Sequence, residues 1–186
     1  PIVNLFKQDF KVYCVDRRCC GKSTKDCELT YEESAKDIYE MIQKLKIDKP
    51  VVVGFSGGAS VGLRLAIDHS SIISKLVLCS SSARKVNVKS KDFFDKMIWY
   101  PGKKNADKFW KLVDDAKEIK ETELKAIKVK TLVVNGGTSD IVPVSEAKYL
   151  ANNIENSKIL ILENEGHCSY AKKKYWYETV RVFINE

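Results

Sequence analysis

Five short apolar runs punctuate the chain, at residues 11–15, 51–55, 75–79, 131–135 and 158–162. Each is rich in Val, Ile or Leu and shows little apolar–polar alternation, the pattern of strands covered on both faces. Helical periodicity lies between them. Tyr31, Ala35, Ile38, Ile42 and Leu45 recur every three or four residues, which puts them on one side of a helix. Thr30 and Glu33 have the spacing of a capping box at its start. Residues 59–68 and 145–154 also read as helices, and 170–184 as a closing one. Strands alternating with helices predict an α/β fold: a mostly parallel sheet with helices on both faces.

One stretch breaks this rhythm. Between residues 82 and 128 no strand pattern occurs, and Phe93, Phe94, Trp99, Tyr100, Phe109 and Trp110 stand among many charges. The segment reads as a small helical cap inserted over one end of the sheet, with Phe94 and Trp99 as candidates to line a substrate pocket. The alternative is an ordinary helix pair whose aromatics pack on the core.

Composition narrows the class. A length of 186 residues fits one domain spanning 1–186, and 44% hydrophobic with 31% charged residues suits a globular core. The net charge of +7 comes from lysines scattered along helical segments. A solvated basic surface explains it better than nucleic-acid binding. No run of eighteen apolar residues exists, so no membrane span is expected. The start, Pro1-Ile2-Val3-Asn4, lacks the basic flank of a signal peptide. It also lacks Met, as a processed form or a fragment would. The six cysteines (14, 19, 20, 27, 79 and 168) contain no Cys-x-x-Cys pair, which argues against a metal site and for a reducing cytoplasm. Cys14 and Cys79 fall in strand-like runs and read as small core residues. No cofactor is implied, and oligomeric state is left open.

The chemistry centres on Gly54-Phe55-Ser56-Gly57-Gly58, a Gly-x-Ser-x-Gly motif between a strand and a helix. That context is a nucleophile elbow. A sharp turn lifts the serine hydroxyl above the strand ends, with Gly54 and Gly58 expected to avoid collision across it. The Gly57 N–H, at a helix N-terminus, is placed to donate to an oxyanion. A serine needs a base, and the chain has two histidines. His69 ends the helix after the elbow, where a structural role suffices. His167 follows the last strand, at the end of the sheet where catalysis gathers in open α/β folds. Asp140 follows the strand at 131–135 and is the candidate acid that orients His167, against the plainer role of a turn or cap residue.

The order Ser56, Asp140, His167 is that of the α/β-hydrolases, and three further segments resemble that family. Asp16-Arg17-Arg18-Cys19-Cys20-Gly21-Lys22-Ser23 resembles its Asp-x-Arg-Gly-x-Gly-x-Ser loop. Gly136 to Pro143 resembles its acid loop, and Glu165-Gly166-His167 its base loop. The resemblance runs from about Asp9 to the C-terminus. It implies a serine hydrolase acting on a small ester substrate through an acyl-Ser56 intermediate. Cys19 departs from the family, which usually has Gly there. No His-Gly precedes Asp9, so the family's second oxyanion donor has no counterpart. In the family, a strand carrying that motif lies between the counterparts of 11–15 and 51–55. The expectation is therefore a rearranged five-strand sheet, or a strand missing from the sequence, and in either case a poor catalyst. The alternative reading is a catalytically weak hydrolase-fold binder of small molecules, or an engineered or truncated fragment. Gly21-Lys22-Ser23-Thr24 resembles the end of a phosphate-binding loop, but Asp16 stands where that loop needs Gly.

Overall fold

The computed structural model describes residues 2–86 and 103–186, the side chains of 103–106 excepted. Its sheet has four parallel strands in sequential order: β1 (Val51–Phe55), β2 (Lys75–Cys79), β3 (Lys130–Gly136) and β4 (Ser157–Leu162). The register runs Val51 to Lys75, Lys75 to Lys130 and Thr131 to Ser157. Around it stand α1 (Ile2–Phe6), α2 (Tyr31–Lys44), α3 (Gly57–His69), α4 (Lys103–Asp115), α5 (Glu121–Ala126), α6 (Val144–Asn153) and α7 (Lys174–Asn185).

The period of two along a strand sends alternate side chains into two cores. On β2, Leu76 and Leu78 pack with Ile42, Leu63, Leu65 and Leu150 from α2, α3 and α6. Val77 and Cys79 turn the other way, toward Phe6, Trp176, Val180 and Phe183 from α1 and α7. Both faces of β2 and β3 are thus covered, which is why their sequences show no polar alternation. The edge strands are wetter: Val53 on β1 and Ile159 on β4 are 38% and 43% exposed.

Residues 11–15 do not form the expected strand. All five are exposed and take no place in the sheet. A cavity of about 1360 Å³ separates them from β1, with Val12, Cys14 and Val15 on one wall and Val51 to Phe55 on the other. A strand needs a ladder partner about 4.7–4.9 Å away, and β propensity cannot supply one. Among the described residues the sheet therefore has four strands rather than five. For the same reason Cys14 is exposed rather than in the core, whereas Cys79 is buried.

Other boundaries differ by local chemistry. The closing helix predicted at 170–184 is a 3-10 turn at Ser169–Lys172 followed by α7 from Lys174. Thr30 caps α2 by accepting the Glu33 N–H at 3.1 Å. The Glu33 carboxylate pairs with Arg18 at 3.1 Å instead of returning to the cap. Arg18 also grips Asp37 through Nε and Nη2, each at 2.7 Å, a two-point contact that pins the 16–27 loop to α2. Within that loop Cys19 holds a φ of +62°, the left-handed region where glycine is at ease. Asp16 fills the turn by accepting the Lys22 N–H at 2.9 Å, so a carboxylate occupies the space where a phosphate would sit. Of the cap expected over 82–128, α4 and α5 are helical, while Phe94 and Trp99 lie outside the described residues. Among the described residues no helix is long and apolar enough to cross a membrane.

Candidate active site

The C-terminal ends of β1, β3 and β4 bring three loops together. Ser56 follows β1 directly, at φ +49° and ψ −120°, a conformation an L-residue adopts only under constraint. The constraint is visible on either side of it. Its N–H donates to the Cys79 carbonyl at 2.8 Å, and its carbonyl accepts from Ala59 and Ser60 at 2.8 and 3.1 Å. Sheet and helix thus hold the residue at both ends. Gly54 makes the turn feasible: a Cβ there would stand 2.5 Å from the Gly58 carbonyl oxygen and 2.6 Å from Ala59 Cα. Gly58 differs from expectation, because a Cβ there would meet nothing within 4 Å. Its lack of a side chain is not what allows the turn.

His167 reaches this serine. Its Nε2 lies 3.1 Å from Ser56 Oγ, within the reach of proton transfer. Several contacts fix the loop that carries it. Ser80 Oγ donates to the His167 carbonyl at 2.6 Å and also meets the Tyr170 hydroxyl at 2.6 Å. The Gly166 N–H donates to Ser169 Oγ at 2.9 Å. Gly136 allows this loop to cross β3, since a Cβ there would stand 2.2 Å from the Gly166 carbonyl oxygen. Burial pushes the imidazole below the ordinary histidine pKa, and the Asp140 charge pulls it partly back up.

Ser139 and Asp140, both from the loop after β3, are the groups beside the imidazole. Ser139 Oγ stands 3.5 Å from His167 Nδ1 and accepts the Val142 N–H at 3.2 Å. Asp140 is exposed and acts on the ring through its charge, not through a hydrogen bond. A tautomer with its hydrogen on Nδ1 would donate toward Ser139 Oγ and leave Nε2 to accept from Ser56 Oγ. Ser139 was not singled out in the sequence; its adjacency to Asp140 in Gly136-Gly137-Thr138-Ser139-Asp140 is the only signal it leaves. Buried Asn135 braces the loop by donating to the Gly136 and Val142 carbonyls at 3.1 and 3.0 Å.

His69 lies elsewhere. Its ring stacks on Tyr39 with centroids 3.9 Å apart, a packing role at the end of α3. A cavity of about 220 Å³ opens beside Ser56 and Gly57, walled by Tyr31, Ala83, Phe109 and Trp110. It is large enough for a small acyl group, and its aromatics come from α2 (Tyr31) and α4 (Phe109 and Trp110). Gly57 begins α3, so its N–H has no intrahelical acceptor, and the residue lines this space. Among the described residues no three His, Cys, Asp or Glu side chains gather as a metal would require.

Comparison with known proteins agrees with this architecture. The alpha/beta hydrolase fold family matches residues 2–97. The AB hydrolase superfamily protein YisY of Bacillus subtilis is 24% identical over 90% of this chain and 78% of its own length. MGS-M2, an alpha/beta hydrolase enzyme from a deep-sea metagenome, superposes with a TM-score of 0.85 at 21% identity. That match covers 99% of this chain and 82% of MGS-M2. The esterase EaEST of Exiguobacterium antarcticum gives a TM-score of 0.79 at 22% identity, over 100% of this chain and 85% of the esterase.

Proposed function

Because the chain belongs to the alpha/beta hydrolase family, we propose that it is a serine hydrolase that cleaves carboxylic esters, or related acyl bonds, through an acyl-Ser56 intermediate. The observation that carries the reading is the 3.1 Å approach of His167 Nε2 to Ser56 Oγ, made at a backbone held in a strained turn. Ser56 Oγ attacks the ester carbonyl as its proton passes to Nε2. The carbonyl π pair moves to oxygen, which meets the Gly57 N–H. Collapse expels the alcohol, which takes the proton from His167. Water then repeats the sequence on the acyl-enzyme. Asp140 stabilises the imidazolium through its charge, and Ser139 holds Nδ1.

A second reading, a weakly catalytic binder of small molecules, has one observation in its favour. The cavity beside β1 leaves one side of that strand without a ladder partner, which loosens the support beneath Ser56.

One experiment separates them. A fluorophosphonate probe labels only a serine whose proton a base can take. Labelling should map to Ser56 and vanish in Ser56→Ala with the circular dichroism spectrum unchanged. Label on Ser23 or a cysteine, or none on folded protein, would reject the hydrolase reading in favour of the binder.

A further inference from the structure

The 16–27 loop brings two thiols together. Cys19 Sγ and Cys27 Sγ stand 3.4 Å apart, and both cysteines are free. The loop is folded back on itself, with the Cys19 N–H donating to the Thr24 carbonyl at 2.7 Å. A disulfide holds its sulfurs about 2.05 Å apart, so a closure of about 1.3 Å would join the pair. The turn does not call for a side chain at position 19. Its φ of +62° suits glycine, yet a cysteine stands there, 2% exposed. Its sulfur faces Cys27 Sγ and the Lys25 and Cys27 carbonyls, the latter two at 3.6 and 3.4 Å. Cys20 is engaged elsewhere, its Sγ meeting Arg17 Nη2 at 3.9 Å.

The two thiols are not equivalent. Burial, and then the neighbouring Cys27 sulfur, hold the Cys19 thiol above its ordinary pKa. Cys27 is half-buried, and its thiol reaches the Thr24 carbonyl at 3.5 Å. A small oxidant therefore meets Cys27 before Cys19. Lys108 of α4 adds a cation to the pair. Its Nζ lies 4.0 Å from Cys19 Sγ and donates to the Lys25 and Cys27 carbonyls at 2.6 and 3.4 Å. A cation beside thiols favours the reactive thiolate. The same contacts seat α4, whose Phe109 and Trp110 wall the pocket beside Ser56, on the loop that carries both sulfurs.

We propose that Cys19 and Cys27 form a reversible oxidation site, at which a hydroperoxide converts the two thiols into one intramolecular disulfide. The proposal stands apart from the acyl-Ser56 reading. The Cys27 sulfur attacks a peroxide oxygen, and the O–O bond breaks. The other oxygen leaves with the thiol proton as water or an alcohol, and Cys27 becomes a sulfenic acid. The Cys19 sulfur then attacks the Cys27 sulfur. The S–O bond breaks, and the hydroxyl leaves with the Cys19 proton as water. The sulfurs together lose two electrons and the peroxide gains two. A thiol reductant reverses the bridge by exchange. Transient bridges of this kind are the ones compatible with a reducing compartment.

The test treats the reduced full chain with one equivalent of hydrogen peroxide, blocks the remaining thiols and maps the tryptic peptides. Lys22 and Lys25 lie between the two cysteines, so the bridge joins two separate peptides. Two of the six thiols should be lost, in a Cys19–Cys27 link that dithiothreitol reverses. Cys20 shares the Cys19 peptide, and Cys20→Ser should keep the link. Cys19→Gly suits the backbone at that position and removes the second thiol. It should leave Cys27 as a sulfenic acid that dimedone traps, whereas Cys27→Ser should leave Cys19 without dimedone. Loss of the link in Cys20→Ser overturns the proposal, because the bridge then belongs to Cys20. Oxidation of Cys14 or Cys168 ahead of the pair also overturns it, as does dimedone on Cys19 in Cys27→Ser. Fluorophosphonate labelling of the reduced chain reports on Ser56 separately, so either reading can fail without the other. Should Cys19→Gly not fold, Cys19→Ser carries the same comparison, and an absence of dimedone on Cys27 there is equally decisive against the proposal.

Discussion

His167 is shifted by two opposed influences, and their balance sets the working pH. Burial disfavours the imidazolium, and the Asp140 carboxylate favours it; burial is the larger. The folded pKa is therefore below the free value of about 6.5. The base works only when neutral, so activity should be full at neutral pH and fall as pH drops through that lowered pKa. Replacing Asp140 with Asn removes the influence that raises it. The acid limb of the kcat/KM profile should then move to still lower pH, while the plateau rate falls because the imidazolium that forms is no longer stabilised. A rate profile of Asp140→Asn against the unaltered protein reads both effects. An unmoved limb with an unchanged plateau would exclude Asp140 from the site. His69→Ala should leave the profile alone, since that ring is occupied in stacking on Tyr39.

At the scale of an element, the turn between β1 and α3 explains why Ser56 is where it is, and its two flanking glycines behave differently. A methyl on Gly54 would press on the backbone of Gly58 and Ala59 at 2.5–2.6 Å. Backbone cannot yield as a side-chain tip can, so Gly54→Ala should cost about 1–3 kcal/mol and displace Ser56 from His167. Gly58→Ala meets open space inside a helix, where Ala is favoured over Gly by about 1 kcal/mol, and should be neutral or stabilising. Chemical denaturation of both variants, with esterase activity alongside, checks the contrast. Equal losses would mean that Gly58 also shapes the turn. The sequence motif could not separate these glycines, because the pattern names residue types and not which backbone they approach. The strands show the same boundary between pattern and context. Residues 75–79 and 131–135 were legible because burial on both faces leaves a continuous apolar run. Residues 11–15 carry the same signature yet form no ladder, since pairing depends on a neighbour that local sequence does not encode. Ser139 was missed for a related reason. A serine in a polar loop is unremarkable until the loop's path sets it opposite Nδ1.

Among the described residues the two edges of the sheet differ. One side of the sheet ends at β4, beyond which the chain returns to α7. The other side ends at β1, whose outer edge faces the 1360 Å³ cavity rather than another strand. Val53 on that edge is 38% exposed, and Val12 and Val15 across the gap are 37% and 44% exposed. An unpaired edge flanked by apolar side chains is a template for further strand pairing, and natural sheets commonly blunt such edges with lysine or another charge. Lys11, Asp16, Lys22, Lys46 and Asp48 also line the cavity, but none of them belongs to β1 itself. The net charge of +7 opposes association of copies at low ionic strength and is screened as salt rises, with a Debye length of about 8 Å at 0.15 M. These 186 residues, expressed as given, should therefore bind an apolar dye such as bis-ANS at this cavity, and should self-associate more as salt increases. Val53→Lys places a charge on the open edge without entering the buried face shared by β2 and β3. It should reduce both dye fluorescence and the salt-induced rise in sedimentation coefficient, and should leave fluorophosphonate labelling of Ser56 in place. A 186-residue chain that stays dark with the dye and sediments as a monomer at every salt concentration would mean that the gap is closed in solution.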